Sequence, residues 1–413
     1  MSREIVVLGA GMVGVSVAWH LLARGHSVTL LDRREPGRET SFGNAGIIQR
    51  EAVRPYAFPR DIGTLVRVLP NREVDIRYRL AGVARAAGPL LRYWHNSAPD
   101  RHSRIVPEYA ALICRALDAH ARMIEVAGAG DLIRRDGYIA LFRTIKALEE
   151  KCLVAQSDAE RFGVAHRVLD ADTLARLEPH MARGLVGAIH WTQPWTATDP
   201  GALVAAYATS FESRGGRFVQ ASLEALSREG GGWRVTTDGG VLSCEQVVLA
   251  LGPWSARWLS RHGVSVPLFV KRGYHMHYGV QGNARLNHWL LDPEIGYLIA
   301  PMGAGIRLTT GAELERLDAP PHYQQLAAAE AAARELFPLG DRLDPEPWMG
   351  SRPCMPDMKP VIGPAPGLPG LWLAFGHGHQ GFTLGPVTGE LLGQMVDGET
   401  PEIDMTPYRL NRF

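Results

Sequence analysis

The first 32 residues contain the feature that most restricts the fold, a complete βαβ nucleotide-binding pattern. An apolar run, Ile5 to Leu8, leads into Gly9-x-Gly11-x-x-Gly14, and a second apolar run at 27–31 ends at Asp32. In this pattern the first glycine permits the tight turn, the second lets a pyrophosphate approach the backbone, and the third lets the helix pack on the strand. The free N–H groups at the helix N-terminus then attract phosphate. The pattern therefore predicts a doubly wound α/β domain at the start of the chain.

The acidic residue at the end of the second strand indicates which nucleotide is bound. Asp32 can accept hydrogen bonds from a ribose 2′-OH and would repel a 2′-phosphate. This favours FAD or NAD over NADP.

Composition excludes several classes of function. The chain has 413 residues, enough for two domains, and a formal net charge of +1 without a basic block, so it does not resemble a nucleic-acid-binding protein. No apolar stretch reaches the roughly 20 residues of a membrane span, and the first apolar run is a strand rather than a signal peptide. The four cysteines are scattered, which favours a reducing, cytosol-facing compartment. Peripheral contact with a membrane is left open.

Three glycine-bearing strand ends are spread along the chain, at residues 9, 252 and 376. A doubly wound sheet binds its ligand at the carboxyl ends of its strands, so these segments are expected to converge on one cofactor. A more antiparallel domain would then be inserted between them. The predicted elements include a helix beginning at Pro107, a strand over 136–142, a helix over 145–162, a helix anchored by Asp199, a strand over 371–375 and a helix over 385–395.

Four segments together resemble one enzyme family. They are the N-terminal pattern, Glu39-Thr40-Ser41-Phe42-Gly43-Asn44-Ala45-Gly46, the run Gly350-Ser351-Arg352-Pro353, and 371–383 with Gly376-His377-Gly378 and Gly381-Phe382-Thr383. The chain is similar to the D-amino-acid dehydrogenase branch of the FAD-dependent glycine oxidase, sarcosine oxidase and D-amino-acid oxidase superfamily. The similarity runs essentially from end to end.

The resemblance implies an α/β Rossmann-like FAD-binding domain with an inserted α+β substrate domain built on a mainly antiparallel sheet. We predict a discontinuous FAD-binding domain from residues 1–85, 192–262 and 352–413, and a substrate domain from 136–191 and 263–351. A helical connection would cover 86–135. FAD is expected to be held noncovalently, because the C-terminal flavin loop contains no cysteine.

The resemblance also implies the reaction. Hydride would pass from Cα of a D-amino or D-imino acid to N5 of FAD, giving an imino acid that hydrolyses to a 2-oxo acid and ammonia, or a cyclic imine. Arg352 would bind the substrate carboxylate, because a guanidinium is a planar, permanently charged fork. Tyr274 and His377 are the other candidates for contact with the reacting atoms, and Arg307 and Trp348 are weaker ones. A tyrosine buried in the core is an equally good interpretation of Tyr274.

Further residues are assigned to the cofactor. These are Gly9, Gly11, Met12, Val13, Gly14, Asp32, Arg33, Ser41, Asn44, Ala45, Gly46, Ile47, Gly252, Trp254, Gly376, Gly378, Gly381, Phe382 and Thr383. No metal is expected, because the His377 and His379 pair has no third ligand at metal spacing nearby.

Several alternatives stay open at this point. The same fold could oxidise sarcosine, glycine, D-proline, hydroxyproline or a 2-hydroxy acid, because Arg352 fits any α-substituted carboxylate. An NAD-dependent dehydrogenase or a non-catalytic nucleotide-binding module would share the N-terminal pattern. The electron acceptor could be a quinone, another carrier or oxygen. We expect a cytoplasmic enzyme, with peripheral contact to the cytoplasmic face of the inner membrane as an option, and the roles of the loop 50–60 and of His379 are unassigned.

Overall fold

The N-terminal pattern forms strand Glu4–Leu8, helix Met12–Ala23 and strand Ser27–Asp32 in the computed structural model, which describes residues 2–413. Both strands lie in a six-stranded sheet with five parallel strands and one antiparallel edge strand. In spatial order its strands are Arg217–Gln220, Ser27–Asp32, Glu4–Leu8, Gln246–Leu249, Leu371–Phe375 and Val361–Pro364. The strand order brings the start, middle and end of the chain side by side, as the three glycine-bearing strand ends predicted.

The helix Gly381–Asp397 packs directly against the helix of the N-terminal pattern. A Cβ added at Gly385 would lie 2.6 Å from Met12 Cγ, and one at Gly389 would lie 2.5 Å from the carbonyl oxygen of Ser16. Glycines four residues apart therefore permit close contact between the two backbones. This contact places the C-terminal loop 376–383 beside the nucleotide-binding turn.

A second, eleven-stranded and mainly antiparallel sheet forms the rest of the interior. Its main path runs Ile76–Tyr78, Ala312–Leu314, Phe269–Val280, Gly305–Thr310, Tyr297–Met302, Trp289–Asp292, Tyr138–Phe142, Gly187–Trp191 and His166–Asp170, and Leu339–Arg342 and Trp348–Cys354 also pair with Phe269–Val280. The predicted fold class, a doubly wound domain with an inserted α+β domain, is confirmed.

The other elements surround these two sheets. Two small sheets contain Leu223–Glu229, Gly232–Thr237 and Gly240–Cys244, and Ile47–Ile48, Trp195–Ala197 and Ile133–Arg134. The remaining α-helices are Ile62–Val68, Leu80–Arg85, Ala87–Asn96, Pro99–Ile113, Ala116–Ala127, Ile145–Phe162, Ala171–Leu177, Pro200–Ser213, Ser255–Ser260 and Gln324–Leu336. Short 3-10 helices lie at Gly130–Leu132, Gly252–Trp254, Gly378–Gln380, Thr406–Tyr408 and Leu410–Arg412.

Two of the predicted boundaries differ from the structure. The strand Ile76–Tyr78 pairs with Ala312–Leu314 in the large sheet, although residues 1–85 were expected in the FAD-binding domain. The strand Trp348–Cys354 stays in the large sheet for three residues beyond the expected boundary at 351. In both places the pairing partner is distant in sequence, so local pattern did not identify it.

Two helix starts are also corrected. Pro107 lies inside the helix Pro99–Ile113, which begins with Pro99 in its first turn. The last helix begins at Gly381, four residues before the predicted start. No helix within residues 2–413 combines the length and the apolar character that crossing a membrane requires.

Candidate active site

The two sheets enclose a cavity of about 570 Å³ that is lined at one end by the nucleotide-binding turn and at the other by the large sheet. Predicted site residues along its wall are Gly9, Gly11, Met12, Val13, Asp32, Arg33, Ser41, Asn44, Ala45, Ile47, Gly252, Trp254, Tyr274, Arg352, His377, Gly378, Gly381 and Phe382. Four other predicted residues, Gly14, Gly46, Gly376 and Thr383, lie outside the lining and support it.

The nucleotide-binding turn has the backbone that a phosphate cradle needs. Gly9 adopts a φ of 107°, and a Cβ there would overlap the carbonyl oxygen of Ala250. Gly11 is the N-cap of the helix Met12–Ala23 and offers no side chain to cap it. A Cβ at Gly14 would overlap the carbonyl oxygen of Gly9, so this glycine permits helix–strand packing rather than ligand contact.

Asp32 is held at the end of its strand with its carboxylate in the cavity wall. Its Oδ2 accepts the N–H of Ala10 at 2.7 Å, and its Oδ1 accepts the N–H of Arg34 at 3.1 Å. Burial raises the pKa of this carboxyl group. Arg33 lies 4.6 Å from the centre of the Trp254 ring, which places both predicted residues at this end of the cavity.

The loop 41–48 forms one side of the cavity and is held from several directions. Arg307 donates to the carbonyl oxygens of Phe42 at 3.1 Å and Asn44 at 2.6 Å, and Trp289 Nε1–H donates to that of Ala45 at 2.8 Å. Gly46, with a φ of 77°, accepts the N–H of Ala197 at 2.6 Å. The loop is therefore a rigid wall, and Arg307 acts on it from behind rather than in the cavity.

His277 supports Arg307. Its Nε2 accepts Nε–H of Arg307 at 3.0 Å, and its Nδ1 lies 2.8 Å from Asp344 Oδ2. Burial and the neighbouring Arg307 lower the pKa of His277, so the imidazole is neutral and donates from Nδ1. His275, His277 and Asp344 place potential ligand atoms within 4.8 Å of one another. The adjacent guanidinium and the two hydrogen bonds on His277 make the group unsuited to a cation.

Trp348 forms a second wall next to this loop. Its ring stacks on His275 with centroids 4.9 Å apart and an interplanar angle of 17°. A Cβ at Gly43 or at Gly350 would overlap the indole, so both glycines are needed for its position. The expectation that Trp348 lies at the site agrees with its place in the cavity wall.

Arg352 lines the cavity near the large sheet, and its guanidinium is bonded to backbone carbonyl groups. Its guanidinium donates to the carbonyl oxygens of Gly311 at 2.7 Å and Thr310 at 3.4 Å. Among residues 2–413, no carboxylate oxygen lies within 4.0 Å of it. A Cβ at Gly273 would lie 2.5 Å from Arg352 Nη2, so this glycine makes room for the guanidinium. Lys271 is its cross-strand neighbour.

Three residues that the sequence reasoning did not assign to the site complete this end. Tyr56 lines the cavity, is 64% exposed to solvent, and packs its ring on His379 with centroids 4.8 Å apart. Tyr138 lines the cavity, and its hydroxyl donates to Glu51 Oε1 at 2.9 Å. Burial, with Arg352 and Lys271 close by, lowers the pKa of His379 to about 3. Tyr56 lies in the loop 50–60, where sequence periodicity gives no signal.

The Tyr274 hydroxyl is held in a buried hydrogen-bond cluster, which matches the interpretation of Tyr274 as a buried tyrosine more closely than that of a substrate-facing phenol. It donates to Glu313 Oε2 at 2.5 Å and accepts the N–H of His322 at 3.0 Å and Nη2–H of Arg272 at 3.2 Å. Glu313 and Arg272 are both fully buried and form an ion pair of 2.7 Å. Tyr274 lines the cavity, and its hydroxyl has all three of its hydrogen bonds within this buried cluster.

The C-terminal loop closes the cavity between its two ends. His377 Nε2 lies 2.9 Å from the Thr388 hydroxyl, which donates to the carbonyl oxygen of Leu384 at 2.8 Å. The hydroxyl has a single proton, so His377 donates from Nε2, and burial lowers its pKa to about 3. Thr383 accepts the N–H of Gln49 at 3.2 Å and donates to the carbonyl oxygen of Ile47 at 3.3 Å. Thr383 therefore joins this loop to the loop 41–48.

The backbone conformation of Gly376 sets the direction in which the C-terminal loop 376–383 leaves its strand. Its φ is 84°, and a Cβ there would lie 2.6 Å from Met355 Cγ. A larger residue would be strained and would push the loop away from the cavity.

These residues fit FAD. The helix N-terminus at Gly11, where only the Met12 N–H is bonded to a side chain, Ser41 Oγ at 2.9 Å, together with the crowded turn at Gly9 and the half-buried Asp32, suits an adenine dinucleotide at one end, as the sequence predicts. The cavity then continues past the loops 41–48 and 376–383 to Arg352.

Comparison with known proteins gives one family. Residues 4–395 match the model of a family described as FAD dependent oxidoreductase. The chain is 30% identical over 422 residues to a D-amino-acid oxidase of Bradyrhizobium diazoefficiens, with 100% of this chain and 99% of the relative covered. It is also 30% identical over 417 residues to a D-amino acid dehydrogenase of Rhizobium johnstonii, with 99% and 100% covered.

Solved structures show the same fold. The glycine oxidase of Geobacillus kaustophilus superposes with a TM-score of 0.74 at 21% identity, covering 100% of this chain and 99% of that one. An iminodiacetate oxidase of Chelativorans sp. BNC1 superposes with a TM-score of 0.73 at 22% identity, covering 98% of both chains.

Proposed function

Since the chain belongs to the family of FAD-dependent oxidoreductases, we propose that it oxidises the Cα–N bond of a D-amino or D-imino acid. The cofactor is FAD, as predicted, and the chain is an amine oxidoreductase. One observation carries the proposal. The Arg352 guanidinium, with no carboxylate oxygen within 4.0 Å among residues 2–413, lines the cavity that begins at the nucleotide-binding turn. The product is an imino acid, which water hydrolyses to a 2-oxo acid and ammonia, or a cyclic imine from a cyclic substrate.

Each residue at this end has a separate task. Arg352 binds the substrate carboxylate with its guanidinium fork, and this contact fixes Cα relative to the loop 41–48. Tyr56 and His379 cover the carboxylate and reduce its contact with water. Tyr138, Leu291 and Leu298 line the part of the cavity available to the side chain. When bound, FAD accepts the two electrons and the hydrogen that leave Cα.

The charges of the site favour the neutral amine, which is the reactive form. Arg352 and Lys271 are neighbouring cations, and neither has a carboxylate within 4.0 Å among residues 2–413. A positive field lowers the pKa of a bound ammonium group and releases its proton. His377 and His379 stay neutral at physiological pH, because burial lowers the pKa of each to about 3. We therefore expect the rate of reduction to rise with pH to a plateau set by the substrate amine.

The preference for the D configuration is supported by the names of the two relatives at 30% identity and by the segment 39–46. The test is the visible absorption of the purified holoenzyme, mixed without oxygen with D- and then L-amino acids, including both prolines. Bleaching of the flavin band by D-substrates alone is the expected result. Bleaching by L-substrates alone would overturn the configuration, and bleaching only by N-methyl amines or hydroxy acids would overturn the substrate class.

We further propose that FAD is held noncovalently and that the enzyme works in the cytoplasm. No cysteine lines the cavity among the described residues, and all four cysteines are free thiols, as a reducing compartment allows. Acid precipitation should release the yellow cofactor into the supernatant. Flavin retained in the pellet would show a covalent bond.

We propose a membrane-borne quinone as the electron acceptor, with peripheral contact to the cytoplasmic face of the inner membrane. The name dehydrogenase on one relative supports an acceptor other than oxygen. The reduced enzyme should be reoxidised faster by a soluble quinone than by air. Reoxidation by air within one turnover time would favour an oxidase.

A further inference from the structure

Residues 60–94 form a surface, here called the 60–94 surface, that exposes many large apolar side chains. Ile62 is 79% exposed, Leu69 72%, Leu80 80% and Leu91 66%. The helix Ile62–Val68 has no buried residue. A surface helix normally packs its apolar side on the protein, so this one lacks the partner that its sequence requires.

Side-chain contacts join the segments that form the 60–94 surface. The Arg60 guanidinium lies 3.8 Å from the centre of the Trp94 ring and donates to the Trp94 carbonyl oxygen at 2.6 Å. Tyr78 donates from its hydroxyl to the carbonyl oxygen of Leu69 at 2.7 Å. The helices before and after residue 78 therefore share one side of the molecule.

The same surface carries a concentrated positive charge. Residues 60–94 contain seven arginines and three acidic residues, a net charge of +4, whereas the whole chain has +1. Glu73 and Asp75 both pair with Arg67 at 2.7 Å. The exposed side chains of Arg72, Arg85 and Arg92 have no carboxylate within 4.0 Å among residues 2–413. Apolar and unpaired basic groups are therefore interleaved.

A short stretch of chain connects this surface to the substrate end of the cavity. Tyr56 lines the cavity, and the Phe58 ring packs edge-on against Tyr93 with centroids 5.5 Å apart. The Phe58 N–H donates to the Ser97 hydroxyl at 2.8 Å. Five residues, 57–61, thus separate Tyr56 in the cavity wall from the start of the helix Ile62–Val68.

We propose that the 60–94 surface docks on an anionic lipid bilayer. Apolar side chains enter the boundary between headgroups and acyl chains, while unpaired arginines bind lipid phosphates, and a surface of this composition supplies both groups. A second copy of the chain is a poorer occupant, because it would bring two surfaces of net +4 together. The inference rests on the proposed function only for the membrane-borne acceptor, which would then meet the enzyme on the side nearest to Tyr56.

The test is co-sedimentation of the FAD-bound holoenzyme with vesicles of phosphatidylcholine, with and without phosphatidylglycerol. We expect binding to the anionic vesicles that weakens as salt is added, since each arginine contributes on the order of fivefold in affinity. The double variant Ile62→Glu, Leu69→Glu should lower the partition coefficient about tenfold or more. The matched control is Leu153→Glu, Val168→Glu, because these side chains are 75% and 54% exposed elsewhere on the molecule. The control should bind as the unmodified enzyme does.

Three results would overturn the proposal: no binding to anionic vesicles, equal loss in both double variants, or a dimer that only Ile62→Glu, Leu69→Glu dissociates. Oxidation of amino acids with a soluble dye should be the same in all three proteins. Vesicle binding by a chain that oxidises no amino acid would remove the proposed function and leave the docking surface in place.

Discussion

At the residue scale, Arg352 and Tyr56 differ in how they could be recognised. Arg352 lies in a short glycine-containing motif, and among residues 2–413 no carboxylate oxygen lies within 4.0 Å of its guanidinium, so the chemistry of the residue type already suggests its role. Tyr56 has no such motif and is identified only from its place in the cavity wall and its ring contact with His379. Two predictions follow from these positions.

Arg352→Ala should lower kcat/KM for the preferred substrate by at least about 100-fold, mostly through KM. Loss of one partner of a desolvated charge pair costs roughly 3 kcal/mol of transition-state binding. The flavin spectrum should be unchanged. Arg285→Ala is the control, because Arg285 is exposed and away from the cavity. A loss under tenfold would argue against carboxylate binding at Arg352.

Two tyrosine variants distinguish a hydroxyl that stabilises the fold, that of Tyr274, from a side chain proposed to contact substrate, that of Tyr56. Tyr274→Phe removes a donor from the buried Glu313 and should cost roughly 1–3 kcal/mol of unfolding free energy, with kcat/KM of the folded enzyme nearly unchanged. Tyr56→Ala removes the ring that packs on His379, so it should raise KM several-fold with little change in the free energy of unfolding. Urea unfolding and steady-state kinetics on both proteins give the comparison. The reverse pattern would restore Tyr274 to the substrate site.

At the element scale, the turn between Glu4–Leu8 and Met12–Ala23 contains glycines with different functions. A Cβ at Gly11 would meet only Ser41 Oγ, at 3.3 Å, and would otherwise point into the cavity. A Cβ at Gly14 would overlap the carbonyl oxygen of Gly9. Gly11 therefore leaves room for the ligand, whereas Gly14 leaves room for the helix to pack on the strand.

Gly11→Val should therefore give a folded protein without FAD, because the added methyl groups occupy the place where the pyrophosphate approaches. Gly14→Val should destabilise the fold by roughly 1–3 kcal/mol or more, since the crowding is against backbone. Visible absorption reports the flavin, and thermal unfolding by circular dichroism reports the fold. Yellow protein from Gly11→Val would remove the pyrophosphate from this turn.

At the scale of the whole molecule, the fold buries several neutral imidazoles that link its stability to pH. Burial lowers the pKa of His20 to about 3, with smaller effects from nearby arginines, that of His120 to about 4 and that of His275 to about 2. The ordinary value of 6.5 applies in the unfolded chain. Below pH 6.5 these histidines bind protons in the unfolded chain but stay neutral in the folded protein, because their pKa values there are lower.

Stability should consequently be at its full value above pH 6.5 and should fall as the pH decreases towards 4. Each such imidazole contributes about 1.4 kcal/mol per pH unit in that range. Urea unfolding at several pH values measures the slope. His120→Gln should make the slope shallower, whereas His95→Gln, at an exposed position, should leave it unchanged. An unchanged slope in His120→Gln would mean that His120 can bind a proton in the folded protein.

The sequence by itself determined the elements whose causes are local. The βαβ unit, the helix Ile145–Phe162, the strand Leu371–Phe375 and the Asp199 cap, which accepts the Ala202 N–H at 2.9 Å, all follow from residues within a few positions of one another. The FAD family followed from motifs of the same short range. Residue spacing and backbone freedom act over one or two turns, so their effects can be predicted from the amino-acid sequence.

The tertiary structure alone decided which side chains meet. Pairing of Phe269–Val280 with Trp348–Cys354 places Gly273 beside the Arg352 guanidinium, and the same strand turns the Tyr274 hydroxyl towards Glu313. The tertiary structure also places Ile76–Tyr78 in the large sheet and Tyr56 against His379. These outcomes depend on the register and facing of strands that are distant in the chain. The free energy that selects them comes from packing and burial across the whole fold, so no local pattern records it.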